Sequence, residues 1–432
     1  MTRSTKLSRR EFLRIAGIGA AGATLAACAP AAPQPAAPAP AEKPAEAQAE
    51  PTAAPAAPGA VALKFWVEWQ QPFYEEFLKR FNEANTDLKL EFIIVEGLGG
   101  DSSGKFMASV AGGNPPDSLL AWADSLPGWA ARQALEPMDQ WLELYKFPKA
   151  EYAPASIEAS TYNGKLYGWP LDWDPDCMLY WNVDMVQAAG LEKPPLTLEE
   201  FAPLREKFDK IAADGTIEQT TLTPWDGWYF NCFALAHQYG SKMYDAASRD
   251  VLIDSDGVRK AFQYEKEWAD HYGFEKVSAF QSGISAATQN TAFGAGKNVF
   301  RMTGDWEIPG LKRNSPDLKY DIERLPIAAG GEYFHCGSGW PWMMPKGAKQ
   351  PDKAALGISR MMMNRDLVLM WCQGIGWQPA WLTPRDDPSW AEVDEHWPKV
   401  FEIVKGFEAS TWLEPSPIAT AFWNEVKQAE NM

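Results

Sequence analysis

Histidine and cysteine are scarce in this 432-residue chain, with 4 His and 5 Cys. There is no Cys-x-x-Cys pair and no His-rich spacing, which argues against a zinc site. Positive charge is also short: 40 Lys and Arg stand against 57 Asp and Glu, for a net charge of -17. The first 27 residues hold five basic side chains (Arg3, Lys6, Arg9, Arg10, Arg14) and one acid, Glu11, so the remainder stands near -21. Such a surface repels phosphate backbones and excludes nucleic acid as a partner. Three local patterns lack the residue that would complete them. Gly99 to Lys105 fits G-x-x-x-x-G-K after a strand, but Phe106 stands where Ser or Thr would hold Mg²⁺, and Asp101 would face the phosphates. Asp172, Asp174 and Asp176 alternate as in a calcium loop, yet Cys177 replaces the required Gly and Val183 the required Glu. Asp254 to Gly257 lacks a spaced Glu and reads as a helix N-cap. Neither a metal nor a cofactor is expected.

The N-terminus carries addresses, not fold. Ser8-Arg9-Arg10-Glu11-Phe12-Leu13-Arg14 matches the twin-arginine export pattern. The apolar run from Ile15 to Ala27 is too short to span a bilayer well. It ends in Leu25-Ala26-Ala27-Cys28, which resembles a lipobox whose Cys28 is acylated and becomes the new N-terminus. Residues 1–27 are therefore expected to be a signal peptide. Residues 28–60 are nearly all Ala, Pro, Glu and Gln, with nine prolines. That composition cannot bury a core and makes a semi-extended tether of at most ~3.1 Å per residue. A tether suits a folded part that stands off a membrane and meets a membrane partner.

Beyond the tether, the 46% apolar content supports a sizeable core and two or more domains. A strand over Leu63–Val67, a helix over Phe73–Ala84 and a second strand over Leu88–Val95 make a βαβ start, so an α/β lobe with a parallel sheet is expected. Ligands in such sheets gather beyond the carboxyl ends of strands, which favours Trp69 over Trp66 as a site residue. Asp117–Trp122 reads as a third strand, and Pro127–Gln133 as a short helix. Thr197-Leu198-Glu199-Glu200 is a capping box that opens a helix. A helix is expected over Gln289–Gly296, a strand over Lys297–Met302, and a crossing strand over Ile322–Pro326. Asp352–Met363 reads as a helix, Gly374–Pro379 as a further crossing, and the tail from Pro398 as helical.

The segment from Tyr162 to Asp184 organises the rest. Asn163-Gly164 favours a tight hairpin turn, since both positions tolerate positive φ. Pro170 and Pro175 bracket Asp172, Trp173 and Asp174, and prolines keep a segment out of a central strand. The stretch is therefore read as a crossing between two sheets, a place for a ligand between lobes. Tryptophan is abundant, with 21 residues. Its flat face and N–H donor suit sugar rings, although most of the indoles are expected to be core. Trp225 and Asp226 stand together in a loop, Trp340 opens a return between lobes, and Trp377 lies in the last crossing.

Tyr162-Asn163-Gly164-Lys165-Leu166-Tyr167-Gly168-Trp169-Pro170, followed by Tyr180-Trp181-Asn182-Val183-Asp184, resembles the carbohydrate-type extracellular solute-binding proteins of ATP-driven importers. The likeness extends through Gly112-Gly113-Asn114-Pro115-Pro116-Asp117, Ala189-Gly190-Leu191, Pro194-Pro195-Leu196-Thr197, Phe293-Gly294-Ala295-Gly296-Lys297 and Gly304-Asp305-Trp306. Leu198 departs from the Trp usual in the family. The resemblance implies an α/β, two-lobed, periplasmic-binding-protein-like fold of type II, with lobes joined by crossing strands. The expected division is 61–171 plus 328–377 for one lobe and 175–325 plus 385–432 for the other, with hinges near 172–174, 322–327 and 378–384. It also implies that Trp122 and Asp124, at the third strand's end, and Trp306 contact the ligand. Together with Trp69, Asp172, Trp173, Asp174, Trp225, Asp226, Trp340 and Trp377, these form the expected binding set. The expected ligand is a neutral mono- or oligosaccharide, and the expected partners are the transmembrane subunits of an ABC permease. The protein is expected to be a monomer, anchored through Cys28 to the outer face of the cytoplasmic membrane. No catalytic residue is expected. A lipid-anchored glycosidase with a carboxylate pair and the same fold binding a polyamine are the alternatives. Cys177 with Cys232, and Cys336 with Cys372, are the disulfides that would leave the lobes free to move, with free buried thiols equally open.

Overall fold

The computed structural model describes residues 59–98, 103–175, 178–224, 230–245, 247–288, 290–334, 337–407 and 416–417. Two five-stranded sheets carry the fold. The first runs in the order Leu88–Ile94, Val61–Val67, Ser118–Leu120, Pro341–Met343, Gly168–Pro170. Val61–Val67 pairs in parallel with both neighbours, whereas Pro341–Met343 runs antiparallel to Ser118–Leu120 and to Gly168–Pro170. The second sheet is ordered Tyr320–Arg324, Met178–Asn182, Asn298–Thr303, Ile217–Leu222, Lys210–Ile211. Its Ile217–Leu222 and Asn298–Thr303 strands are parallel, and the other pairs antiparallel.

The βαβ start forms as the alternation demands. Leu63, Phe65 and Val67 are buried and Lys64 is exposed, so the strand turns one face inward. The helix Tyr74–Ala84 buries Tyr74, Phe77 and Phe81 at i, i+3 and i+7. The Tyr74 and Phe77 rings meet Trp371 of the helix Arg365–Ile375, with Phe77 at 5.3 Å and 82° to it. The hairpin at Asn163-Gly164 also forms. Both residues have positive φ, 48° and 75°, and the flanking strands pair Thr161 with Leu166 and Tyr162 with Lys165.

Tryptophan serves mainly the interior. Trp129, Trp169, Trp173, Trp268, Trp342, Trp371, Trp390 and Trp397 are fully buried. Several satisfy the indole N–H inside the fold: Trp169 donates to the Tyr152 hydroxyl at 3.0 Å and Trp390 to the Pro384 carbonyl at 2.9 Å. Cys372 is a free, buried thiol, so it forms no bridge to Cys336. Cys232 is buried, while Cys177 and Cys336 lie outside the described residues.

Three expected elements differ. The capping box at Thr197 is present, with the Glu200 side chain reaching back to the Thr197 N–H at 3.3 Å, but it opens a single 3₁₀ turn, Leu198–Glu200. Pro203, inside a second 3₁₀ turn at Ala202–Leu204, has no N–H to donate to one continuous helix. Thr197→Ala is expected to cost about 1 kcal/mol, read as a lower urea midpoint with an unchanged slope. No helix covers Gln289–Gly296 among the described residues; the preceding helix, Phe274–Thr288, ends first. The Asn290 Oδ1 accepts the Thr291 N–H, and the Thr291 Oγ1 accepts the Gly294 N–H at 3.0 Å, so side chains take over the backbone donors. Finally, Ile322 belongs to an edge strand of the second sheet and not to a crossing, with Tyr320–Arg324 paired along Met178–Asn182. The N-cap read at Asp254–Gly257 holds: Ser255 caps the helix Asp256–Tyr272 through the Val258 N–H.

Candidate ligand-binding site

Three segments pass between the two sheets and bond to one another. The central one is Leu171–Pro175. Asp174–Pro175 pairs antiparallel with Gly337–Ser338. On the other side, the Trp173 N–H donates to the Gln378 carbonyl at 2.9 Å, and the Ala380 N–H to the Leu171 carbonyl at 3.1 Å. The close packing has a cost in residue choice: a Cβ at Gly339 would lie 2.4 Å from the Asp172 carbonyl oxygen, and one at Gly337 2.6 Å from that of Asp174.

Aromatic rings gather beside this junction. Trp69 follows the strand Val61–Val67, Trp340 follows the second crossing, and Trp377 begins the third. Trp340 and Trp377 are stacked, 5.5 Å apart at 10°. Trp69 meets Trp340 edge-on at 4.7 Å and 65°, and Trp377 at 6.2 Å and 72°. Trp377 is buried and Trp69 is 39% exposed, so the cluster is anchored at one end and open at the other. The structure thus brings together three expected site residues from distant parts of the chain. Trp122, at the end of Ser118–Leu120 in the first sheet, packs against the core around the second sheet and so reaches across. Asp124 accepts a hydrogen bond from the Ser338 Oγ at 3.3 Å, which ties that strand end to the second crossing.

The acids of the crossing sit deeper than a surface site requires. Asp172 is fully buried, and its Oδ1 accepts the Trp340 N–H at 2.7 Å. Burial, followed by the charge of Asp174, pushes its carboxyl well above the usual range. Burial pushes the Asp174 carboxyl up to about 7. Burial also raises the Cys372 thiol, helped by Asp172 and Asp305. Among the described residues, no group of acids, His or Cys is arranged to hold a metal ion. Trp173, expected to line the site, is wholly buried with Ala153, Ala155 and Val404 under the Arg385 guanidinium, 5.1 Å above its ring. It is a packing residue of the junction. Trp225 and Asp226 lie outside the described residues, as does Cys28.

Trp306 is half-buried at the start of the helix Glu307–Asn314. Its six-membered ring lies against Gly304, where a Cβ would stand 2.0 Å from the indole. The Gly304 carbonyl in turn accepts the Tyr180 hydroxyl at 2.8 Å. Gly304→Ala must therefore displace the Trp306 ring, at an expected cost of ~1–3 kcal/mol, read as a lower melting temperature together with a changed Trp emission. Two members of this site escaped the sequence reading. Asp305 is fully buried against the third crossing, where a Cβ at Gly376 would stand 3.3 Å from its carbonyl oxygen, and Gln378 is fully buried with neither amide atom hydrogen-bonded. Only the position of Asp305 between Gly304 and Trp306 hinted at the first.

A sequence model of the bacterial extracellular solute-binding proteins matches residues 76–398. A binding protein of Brucella abortus (strain 2308) is 22% identical over 262 residues, 60% of this chain and 61% of the relative, and one of Brucella suis biovar 1 (strain 1330) matches equally. The chain thus spans about three-fifths of the length of these relatives. Among solved structures, CpMnBP1 with mannotriose bound superposes with a TM-score of 0.74 at 27% identity, over 86% of this chain and 94% of that one. The same protein with mannobiose bound gives 0.75 at 26%, with the same coverage. Maltose-bound MalE3 of T. maritima gives 0.69 at 18%, over 86% and 95%. The fold is the two-lobed α/β architecture of such solute-binding proteins.

Proposed function

Because the chain belongs to the bacterial extracellular solute-binding proteins, we propose that it is the capture receptor of an ABC-type importer and holds an uncharged oligosaccharide between its lobes. The observation that carries this is the convergence of Trp69, Trp340 and Trp377 beside the three crossings. Flat apolar faces suit sugar rings, and the acidic surface disfavours phosphorylated ones. The proteins solved with mannobiose and mannotriose, at 26% and 27% identity, make manno-oligosaccharides the first ligands to try.

In this reading Trp122, Asp124 and Trp306 add contacts around the cluster, Trp225 and Asp226 add them from the second lobe, and Asp172 and Asp174 set the floor. The two lobes close about the crossings to the extent that ligand touches both. The closed form delivers its sugar to a membrane permease, whose partner subunits hydrolyse ATP. Residues 1–27 direct export by the twin-arginine route, acylated Cys28 anchors the protein to the outer face of the cytoplasmic membrane, and residues 28–60 give it reach as a monomer. Catalysis is no part of the reading: Asp172 has no exposed surface from which to act on a glycosidic bond.

A thermal-shift screen of the full chain tests this, with manno- and malto-oligosaccharides against polyamines and sugar phosphates. A ligand at a hundred times its dissociation constant adds ~2.7 kcal/mol. A shift with the neutral sugars alone is the expected result. A shift with polyamines alone would replace the cargo, and consumption of the sugar would make the protein an enzyme.

A further inference from the structure

The third crossing runs on through the turn Thr383–Asp386 and the helix Ser389–Val393 to His396, which opens the helix Trp397–Val404. At His396 this C-terminal segment meets the edge of the second sheet. The side chain is 12% exposed and has an acceptor on each side. Its Nδ1 lies 2.6 Å from the Asp394 Oδ1, and its Nε2 lies 3.0 Å from the carbonyl of Tyr320, the first residue of the edge strand Tyr320–Arg324. The ring is stacked on Tyr320 at 4.1 Å and 16°, and Tyr320 in turn on Tyr180 at 6.0 Å and 20°.

A carboxylate and a carbonyl can only accept hydrogen bonds. A neutral imidazole has one N–H and one lone pair and serves one of them; imidazolium serves both. His271 is the contrast. Its one acceptor among the described residues is the Asp209 Oδ2, 2.8 Å from Nε2, which a neutral ring satisfies. The charged and titratable groups around His396 come from three elements. Its own segment supplies Asp394, Glu395 and Lys399, and the edge strand supplies Tyr320, Asp321 and Glu323. The helix Glu307–Asn314 supplies Glu307 and Lys312, whose ammonium donates to the Val393 carbonyl. Burial opposes a charge on the ring, but the bonds to Asp394 and the Tyr320 carbonyl, with the charges of Asp394 and Asp321, outweigh it and raise the pKa above the ordinary histidine value. The Asp394 carboxyl is lowered, because the bond to His396 outweighs its burial. A protonated ring over the Tyr320 face adds a cation–π contact.

We infer that His396 is a pH-sensitive clasp between the C-terminal segment and the second sheet: doubly protonated it fastens the segment to the edge strand at Tyr320, and with one proton gone it releases that contact. The remaining proton stays on Nδ1, held by a carboxylate whose Oδ1 also accepts the His396 backbone N–H at 3.0 Å. The Nε2 lone pair then faces the Tyr320 carbonyl, and the two acceptors repel. Lys399 donates to Asp321 at 2.8 Å and to Glu323 at 2.9 Å on the same strand. Pairs of that type do not change where histidine titrates, so the segment loosens at His396 without detaching. His396 precedes Lys399 in the chain and so stands nearer the third crossing. The seat of that crossing on the second sheet is therefore firm at acidic pH and slack at alkaline pH. The sign follows from linkage. The folded ring binds its proton more tightly than the unfolded chain does, so the contribution is whole below the ordinary histidine value, ~6.5, and is lost as pH rises through the higher folded value.

The test uses the full chain. His396→Phe keeps a flat ring on Tyr320 but has no N–H at any pH, and His396→Gln carries a donor that does not titrate. Melts and amide hydrogen exchange over residues 389–404 compare each variant with wild type at equal pH. At about pH 5.5, His396→Phe is expected to melt ~2–4 °C lower and to exchange about tenfold faster over that segment. By about pH 9 both differences should shrink, because wild type has lost the same contact, and the stability of His396→Gln should fall less with pH than that of wild type. Differences of constant size at every pH would overturn the clasp. The imidazole nitrogen spectrum of wild type decides the matter even if neither variant folds. Both His396 nitrogens should stay protonated beyond about pH 6.5, and Nε2 should lose its proton first. A His396 that titrates at or below the ordinary value, or that gives up the Nδ1 proton first, refutes the inference.

Discussion

Trp340→Ala is expected to lower oligosaccharide affinity by about thirtyfold or more, the loss typical of a central aromatic anchor worth ~2 kcal/mol. Trp340 lies between the buried Trp377, stacked on it at 5.5 Å, and the exposed Trp69, edge-on at 4.7 Å. Its side chain is the link through which the open face of the cluster is held. Its backbone N–H, which donates to Asp172, survives the substitution, so the crossing keeps that bond. Trp340→Phe retains a flat face and should recover most of the affinity. Trp377→Ala is a poorer probe of binding: only 4% of the residue is exposed, so its removal leaves a cavity costing ~3–5 kcal/mol. Calorimetric titration beside a thermal melt separates the two effects. Equal affinities for wild type and Trp340→Ala would remove the cluster from the site.

Asp174→Asn should reshape the dependence of stability on pH. The folded carboxyl is pushed up to about 7, from 3.8. Between those values the folded state keeps a proton that the unfolded state has lost, so this group's contribution falls as pH rises and then levels off above about 7. The slope is ~1.4 kcal/mol per pH unit, which makes the full range on the order of 4 kcal/mol. Asp172, also raised, acts with the same sign. Asp87 beside Arg360 and Asp387, held by Ser389 and Arg365, are lowered and act in the opposite sense, but they are common to both proteins. The groups that bear on the pair, Asp305, Cys372 and Arg385, are likewise unchanged. The melting temperature of Asp174→Asn minus that of wild type should therefore climb from pH 4 to pH 7 and stay flat to pH 9. Parallel curves would show that Asp174 is ionised throughout.

The sequence disclosed what local rules control. Alternation in Val61–Val67, the apolar spacing of Tyr74–Ala84 and the Asn163-Gly164 turn each act within a few residues, and each formed. Proline pairs around Asp172–Asp174 marked the crossing for the same reason: a missing N–H is visible in the sequence. The site was legible in part. Trp69, Trp340 and Trp377 could be named separately, because each ends a strand or starts a crossing, although nothing in their spacing says that they touch. The approach of Asp305 to the third crossing and the burial of Trp173 depend on how the crossings pack against the helices Arg365–Ile375 and Pro154–Ala159, which no short-range pattern encodes. The missed turn at Asn290–Gly296 had a local cause: side chains of Asn290 and Thr291 captured backbone donors that a helix needed.

The central claim is that an uncharged oligosaccharide binds at the tryptophan cluster and leaves unchanged. Calorimetric titration of the full chain with mannotriose, followed by chromatography of the recovered sugar, tests it most directly. The account predicts one site per chain, quenched or shifted Trp emission on binding, and intact mannotriose afterwards. Mannotriose and maltotriose both failing to bind, or recovery of mannose and mannobiose in place of the trisaccharide, would contradict it.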